Sequence, residues 1–466
     1  MRKFYMILIA LVGLLALGCS LDSPQVVEVE YHQPQGEEIF SNYVAIGNSL
    51  TAGFMDGGLV MAGQVNSFPQ LIATSFGYPA GSFYQPLIGS PGVGSSDVSH
   101  LGEDLVAGVL HFNAAAGRMV PLDVYSRDDV PGMLLAAAVP VPYSNLGVPG
   151  ATTLDITNAL GAATSQAGDN SFFDFILRNP TFGNVSMLNQ LIARGPTIMT
   201  MWVGNNDILG GSLDGQPNDG VVHADQDVNI TPAALFGQMY NTLLDGVLDG
   251  VENRHGHRPL IFVGNIPSIT SIPHFMSTDL FRQVAGLPDE ATMPVFSVEA
   301  DAVLVLLPAL SYDGSSGPLI PAEYTLSQAE ADLVAATVVA YNDIISDAVA
   351  ARPEVFLYDA NAVMAGYAGT PQGMHFLVLA ASLGYEAAEA TTLFSLDGIH
   401  PNNKGYGVVA NGFLAVMNTE LGTDFPMVDT GALTWDPTYG VGYGKALPTR
   451  PSISPEAATA MRALFR

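Results

Sequence analysis

A single cysteine, Cys19, is present in 466 residues. That excludes an internal disulfide framework, a cysteine cage for a metal and a cysteine nucleophile in the body of the chain. Lysine is almost missing as well: Lys3, Lys404 and Lys445 are the only three. With 15 basic against 44 acidic residues the net charge is -29, and the imbalance comes more from this scarcity than from a flood of acids. Such a surface repels a nucleic-acid backbone, so nucleic acid is not expected as a partner. Beyond the first 19 residues no apolar run is long and uninterrupted enough for an ordinary spanning helix, and there is no internal repeat. What is there is apolar bulk: 48% of the residues, enough for a sizeable core in one large domain with insertions, or in two or three smaller ones.

The first residues have the layout of a secretory signal. Arg2 and Lys3 make a basic start, residues 4–17 are apolar, and Gly18-Cys19 closes the run. Ala16-Leu17-Gly18-Cys19 resembles the bacterial lipobox, in which the cysteine is lipidated and becomes the new N-terminus; alanine at the first of these positions is a mild departure. The expectation is a lipoprotein signal peptide over 1–18, a polar, proline-containing tether over 19–38, and a protein held to a cell-envelope membrane through lipidated Cys19.

From residue 39 onward, strand-type runs alternate with helical spacing. Tyr43-Val44-Ala45-Ile46 runs into a small-residue turn that carries Ser49. Further strands are expected at 141–146, 197–203, 259–263 and 355–358, and each leaves into a Gly- or Asn-bearing turn. Helices are expected at 70–76, from Thr152 or Thr153 to Leu160, and at 184–193. Three longer ones are expected at 231–253, at 327–351 with Ser327 and Glu330 at capping-box spacing, and at 403–421. Alternation of this kind argues for a parallel sheet covered on both faces, with right-handed crossovers bringing the turns to one edge. Residues 78–135 and 276–325 read as insertions in a domain spanning 39–422, the second a lid candidate containing the apolar piece Val303-Leu304-Val305-Leu306-Leu307. Residues 423–466 form a C-terminal extension that ends in a short helix from Ser454-Pro455-Glu456.

Acyl transfer needs a nucleophile, a base in hydrogen-bond reach, a group that orients the base, and donors for an oxyanion. The candidates are Ser49, Gly150 in Gly147-Val148-Pro149-Gly150, Asn206 in Gly204-Asn205-Asn206-Asp207, and Asp397 with His400 in Asp397-Gly398-Ile399-His400-Pro401. A glycine N–H can approach a substrate unhindered, and an asparagine amide is a donor that does not titrate. Three residues separate Asp397 from His400 across a Gly-bearing turn, which lets the carboxylate fold back onto the ring while the other ring nitrogen faces Ser49. Each residue alone has an ordinary structural explanation as a turn former or cap. The stretch is neither a GxSxG elbow, because Thr51 stands two after Ser49, nor a phosphate-binding loop.

Taken together in this order, Gly-Asn-Ser-Leu, Gly-Val-Pro-Gly-Ala-Thr-Thr, Gly-Asn-Asn-Asp and Asp-Gly-Ile-His-Pro resemble the four blocks of the SGNH, or GDSL, hydrolases. The resemblance implies a three-layer α/β/α sandwich on a parallel five-stranded sheet of flavodoxin-like type, with insertions. It further implies Ser49 as nucleophile, His400 as base, Asp397 as its orienting acid, and Ser49 N–H, Gly150 N–H and the Asn206 side chain as oxyanion hole. The implied reaction is cofactor-free hydrolysis of lipid or other small-molecule esters, and Asn48 stands where the family name has aspartate. The rival expectation is a surface lipoprotein that uses the same sandwich to bind a ligand or partner without catalysis. No metal is expected: Gly440-Val441-Gly442-Tyr443-Gly444-Lys445 lacks the strand and hydroxyl residue of a phosphate loop, His255 and His257 lie in an Arg-bearing turn, and Asp219 occupies the glycine position of a calcium-loop reading of 214–227.

Overall fold

The computed structural model describes residues 31–94, 105–135, 138–220, 227–285, 301–312, 319–443 and 452–462. Cys19 with the whole signal segment, residues 221–226 of the acidic loop, and Gly444-Lys445 lie outside the described residues.

Five strands build the central sheet: β1 (Tyr43–Gly47), β2 (Asn145–Gly147), β3 (Ile198–Trp202), β4 (Leu260–Gly264) and β5 (Val355–Tyr358). All pair in parallel, in the order β2-β1-β3-β4-β5. That order places the switch of winding direction between β1 and its neighbours, and in sheets of this type ligands bind outside the carboxyl ends of the strands at such a point.

Strand side chains alternate between two cores, because successive residues point to opposite faces. Val44, Ile46, Met199, Met201, Ile261 and Val263 point to one face, where they meet α3 (Thr153–Asn158), α4 (Met187–Arg194), α6 (Ala233–His255) and α7 (Gln328–Ala350). Tyr43, Ala45, Ile198, Trp202 and Phe262 point to the other, against α2 (Phe68–Ser75) and α8 (Asn403–Leu421). Between these layers the sheet is dry on both sides, which is why its strands read as nearly continuous apolar runs. Helix α7 is long and apolar enough by composition to cross a membrane, yet its Val334, Val338, Tyr341 and Ile345 are buried in the sandwich, with the Tyr341 ring stacked on Phe236.

Local chemistry sets the helix ends. Thr152 and Asp155 form a reciprocal capping box for α3, and Ser327 and Glu330 do the same for α7. Gly195, in the left-handed region at φ 60°, closes α4. Two local details depart from the simplest pattern. The strand expected at 141–146 is formed only by Asn145–Gly147, since Pro142 has no N–H to give a ladder. Ser67 stands at the N-cap of α2, but its hydroxyl bonds Gln85 instead of the helix.

The expected insertions and the C-terminal extension share a second core. Phe275–Ser277, Ala302–Leu306 and Thr325–Ser327 form an antiparallel sheet, while Ser452–Ile453 adds a parallel strand to the hairpin Leu110–Asn113/Arg118–Pro121. Phe112, Met276, Phe376, Trp435 and Met461 meet there, with Leu396 beside them.

Close packing at the edge of β1 gives the first prediction. A Cβ on Gly147 would overlap the backbone of Thr51 and Ala52, which cannot move without moving Ser49. Gly147→Ala is expected to lower stability by about 1–3 kcal/mol or more, read as a fall in the urea midpoint at unchanged slope.

Candidate active site

Three of the four candidate blocks follow strands of the central sheet, β1, β2 and β3, and the fourth, Asp397 to His400, is the turn that leads into α8. Ser49 opens α1 (Ser49–Ala52), the short helix directly after β1. Asn48 caps it: Asn48 Oδ1 accepts from Leu50 N–H at 3.0 Å, and Asn48 Nδ2 donates to Asn205 Oδ1 at 3.0 Å. The two amides thereby tie the turn after β1 to the turn after β3.

The chain Ser49–His400–Asp397 is continuous. Ser49 Oγ–H donates to His400 Nε2 at 2.8 Å, and His400 Nδ1–H donates to Asp397 Oδ2 at 3.0 Å. All three are buried, at 3%, 1% and 0% exposure, so water does not compete for these bonds. Asp397 receives three further bonds, each of 2.8 Å: Oδ1 accepts from the N–H of Ile399 and of His400, and Oδ2 from Gly57 N–H. Burial by itself would raise the Asp397 pKa, but His400 and these donors outweigh it and hold the carboxyl well below the usual carboxylate range. Gly398, at φ 71°, takes the left-handed turn that lets the acid reach back to the ring.

Gly150, at φ 77°, and Asn206, the first residue of α5 (Asn206–Leu213), line one cavity on the β2 side. Asn206 Nδ2 gives one hydrogen to Ala151 O at 2.9 Å, and its Oδ1 has no partner. The nearby Gly147 N–H is occupied by Asn145 Oδ1 at 3.0 Å. Asp207 ties the two blocks together, Oδ2 accepting from Thr153 N–H and Oγ at 2.9 Å each; burial pushes this carboxyl up to about 6 despite those bonds. On the β4 side Ser49, His400 and Asn206 open onto an apolar pocket formed by Leu50, Leu209, Ile269, Ile272, Met364 and Phe394.

Three residues around the acid turn were not singled out by the sequence. His274 Nδ1–H donates to Asp397 O at 2.9 Å, and His375 Nε2–H donates to Leu396 O at 2.9 Å while its Nδ1 accepts from Leu377 N–H at 3.2 Å. Asp56 accepts from Leu396 N–H at 2.8 Å. Only Asp56 carried a signal in the chain: Asp-Gly is a favoured pair at the tip of a two-residue hairpin turn. The two histidines of the Arg-bearing turn, His255 and His257, are bonded to the carbonyls of Ile192 and Pro196, at 2.7 and 3.0 Å. Among the described residues no group of three or more His, Cys, Asp or Glu is arranged to hold a metal ion.

A serine, a histidine and a buried acid joined in series at the carboxyl edge of a parallel sheet have the arrangement of a serine hydrolase. The chain belongs to the GDSL-like lipase/acylhydrolase family, whose family model matches residues 43–413. In structure it is similar to the extracellular lipase of Streptomyces rimosus, at 13% identity and a TM-score of 0.31, over 81% of this chain and 99% of the lipase. No curated protein matches it.

The buried histidines yield an acid-stability prediction. Burial lowers His274 and His375 to about 4 each, against about 6.5 in an unfolded chain. Below pH ~6.5 the unfolded chain binds protons that these folded rings refuse, so each ring's contribution is lost as pH falls toward 4, by about 1.4 kcal/mol per pH unit. Asp56 and Asp207, raised to about 7 and about 6, act with the opposite sign over much of that window and mask the slope in the wild type. His375→Gln, which keeps a donor for Leu396 O, is therefore expected to be less stable than wild type at pH 7.5 by an amount that shrinks as pH falls to 4.5. Urea titrations of both proteins across that range read the narrowing.

Proposed function

We propose that this protein is a carboxylic ester hydrolase that works through an acyl-enzyme at Ser49. The observation that carries the reading is the unbroken hydrogen-bond series from Ser49 Oγ through His400 to Asp397. As Oγ attacks the ester carbonyl carbon, its proton passes to His400 Nε2, and the buried Asp397 carboxylate stabilises the imidazolium that forms. The carbonyl oxygen becomes an oxyanion beside Ser49 N–H, Gly150 N–H and the remaining amide hydrogen of Asn206. Ser49 N–H lies in the first turn of a helix, where no intrahelical acceptor exists, and so is available for this role. Gly150 is favoured over Gly147 because the Gly147 N–H already has a partner. Collapse of the adduct expels the alcohol, which takes the proton from His400; water then repeats the cycle from the other side and frees Ser49.

The apolar pocket beside Ser49 supports an aliphatic acyl chain over an acetyl group as the acid part of the substrate. Cys19 in its lipobox-like setting supports attachment of the mature protein to a membrane of the cell envelope through a lipidated cysteine.

Ser49→Ala is expected to abolish both turnover of an aryl ester and labelling by a serine-directed phosphonate. Asn206→Ala is expected to cost about 10²–10³-fold in kcat with the fold intact by circular dichroism. Wild-type protein that neither labels nor turns over any member of an ester panel running from acetyl to long aliphatic chains would favour the non-catalytic binding reading. Expressed in a bacterium, the full chain is expected in the detergent phase, and Cys19→Ser in the aqueous phase.

A further inference from the structure

Asp56 belongs to neither the nucleophile block nor the acid block, yet it is completely buried beside both. It lies at the tip of a tight hairpin: Met55 and Gly58 exchange both backbone hydrogen bonds, at 3.0 and 3.1 Å, and Asp56 and Gly57 have φ of 54° and 73°. Positive φ at both central residues is what a type I′ turn requires, and Asp-Gly supplies it at little steric cost. The two tip N–H groups then face outward, and both meet the acid turn. Asp56 N–H donates to Ser395 Oγ at 3.0 Å, and Gly57 N–H donates to Asp397 Oδ2 at 2.8 Å. In return, Leu396 N–H donates to Asp56 Oδ1 at 2.8 Å. Three consecutive residues of the acid turn are thus latched to two consecutive residues of the hairpin.

The other oxygen of the same carboxylate looks away from the sandwich. Asp56 Oδ2 accepts from Trp435 Nε1–H at 3.0 Å and from Tyr439 O–H at 2.9 Å. Both donors come from the C-terminal extension, beyond the residues 43–413 that the family model covers. Three donors converge on its two oxygens, and an asparagine would turn its NH₂ toward one set of donors and leave it unpaired. Trp435 is itself held edge-on against Phe376, whose helix is capped by His375, and His375 bonds Leu396 O. The extension and the acid turn are therefore joined through Asp56 and through His375.

We propose that Asp56 is a positioning residue for the Asp397–His400 pair, and that the C-terminal extension, through Trp435 and Tyr439, is a working part of the active site because it holds the Asp56 carboxylate in place. This rests on Asp397 orienting His400 as the base. A shift of about 1 Å in a positioned group is enough to lose on the order of 10²-fold in rate. Loss of the latch therefore acts on kcat more than on KM, because Leu50, Leu209, Ile269, Ile272 and Met364 of the ester pocket come from other segments than the latched turn.

The test uses the full chain in five forms: wild type, Asp56→Asn, Trp435→Phe, the double variant, and Tyr443→Phe. Tyr443 is in the same extension but bonds Glu389, not Asp56, and so reports on general loosening. For each, kcat per phosphonate-titrated site, KM for an aryl ester, the melting temperature, and the NMR resonance of the His400 Nδ1 proton are measured. Asp56→Asn and Trp435→Phe are each expected to lower kcat by about 10–10²-fold, with KM within about two-fold and the His400 resonance shifted. The double variant is expected to be no slower than Asp56→Asn alone, because Trp435 acts through the carboxylate. Tyr443→Phe is expected to lower only the melting temperature. Additive losses in the double variant, or single variants that melt earlier with kcat per site unchanged, overturn the proposal. Should Asp56→Asn fail to fold, Trp435→Phe carries the same comparison. A wild type that shows no hydrolysis and no labelling counts against the esterase reading. The His400 resonance needs no substrate, and an unshifted resonance in both single variants overturns the latch separately.

Discussion

A carboxylate with no exposure to water, Asp397, is the constraint around which this molecule is arranged. A buried ionised carboxyl is tolerated only where its lone pairs are filled, and here four donors fill them: two N–H groups of its own turn, the His400 ring and Gly57. Those donors come from opposite ends of the chain, 340 residues apart in the case of Gly57. Satisfying one charge therefore brings the segment after β1 against the segment before α8, and with them Ser49 against His400.

The parallel sheet makes that meeting possible. Its strand order sends the loops after β1, β2 and β3 to one edge, where Ser49, Gly150 and Asn206 leave the backbone within reach of one another. Side contacts then remove slack: Asp207 pins the start of α3 to the start of α5, and Asn48 ties the α1 turn to Asn205. Asn206 lines both the apolar pocket beside Ser49 and the more polar cavity on the β2 side.

The insertions and the extension belong to the same arrangement. They supply a second apolar core under the acid turn, and His274, His375 and Asp56 reach from that core to three successive backbone groups or side chains of the turn. None of the three was picked out in the chain, because each acts by contact with residues more than 20 positions away. A lone buried histidine has no local pattern to announce it. The Asp56-Gly57 pair announces a tight turn but not its partner.

Local order along the chain by itself determined the alternation of strands and helices, the capping boxes at Thr152 and Ser327, and the five residue types that a serine acyl-transfer site needs. These depend on side-chain periodicity and on hydrogen bonds between residues three apart, which the linear order contains. Only the tertiary structure decided that the Gly147 N–H is taken by Asn145, that strand β2 shrinks to three residues, and that the C-terminal tail meets the acid turn through Asp56. The physical reason is the same in each case: a buried polar group takes whichever partner the packed chain brings to it, and that partner is set by topology, not by neighbours in sequence.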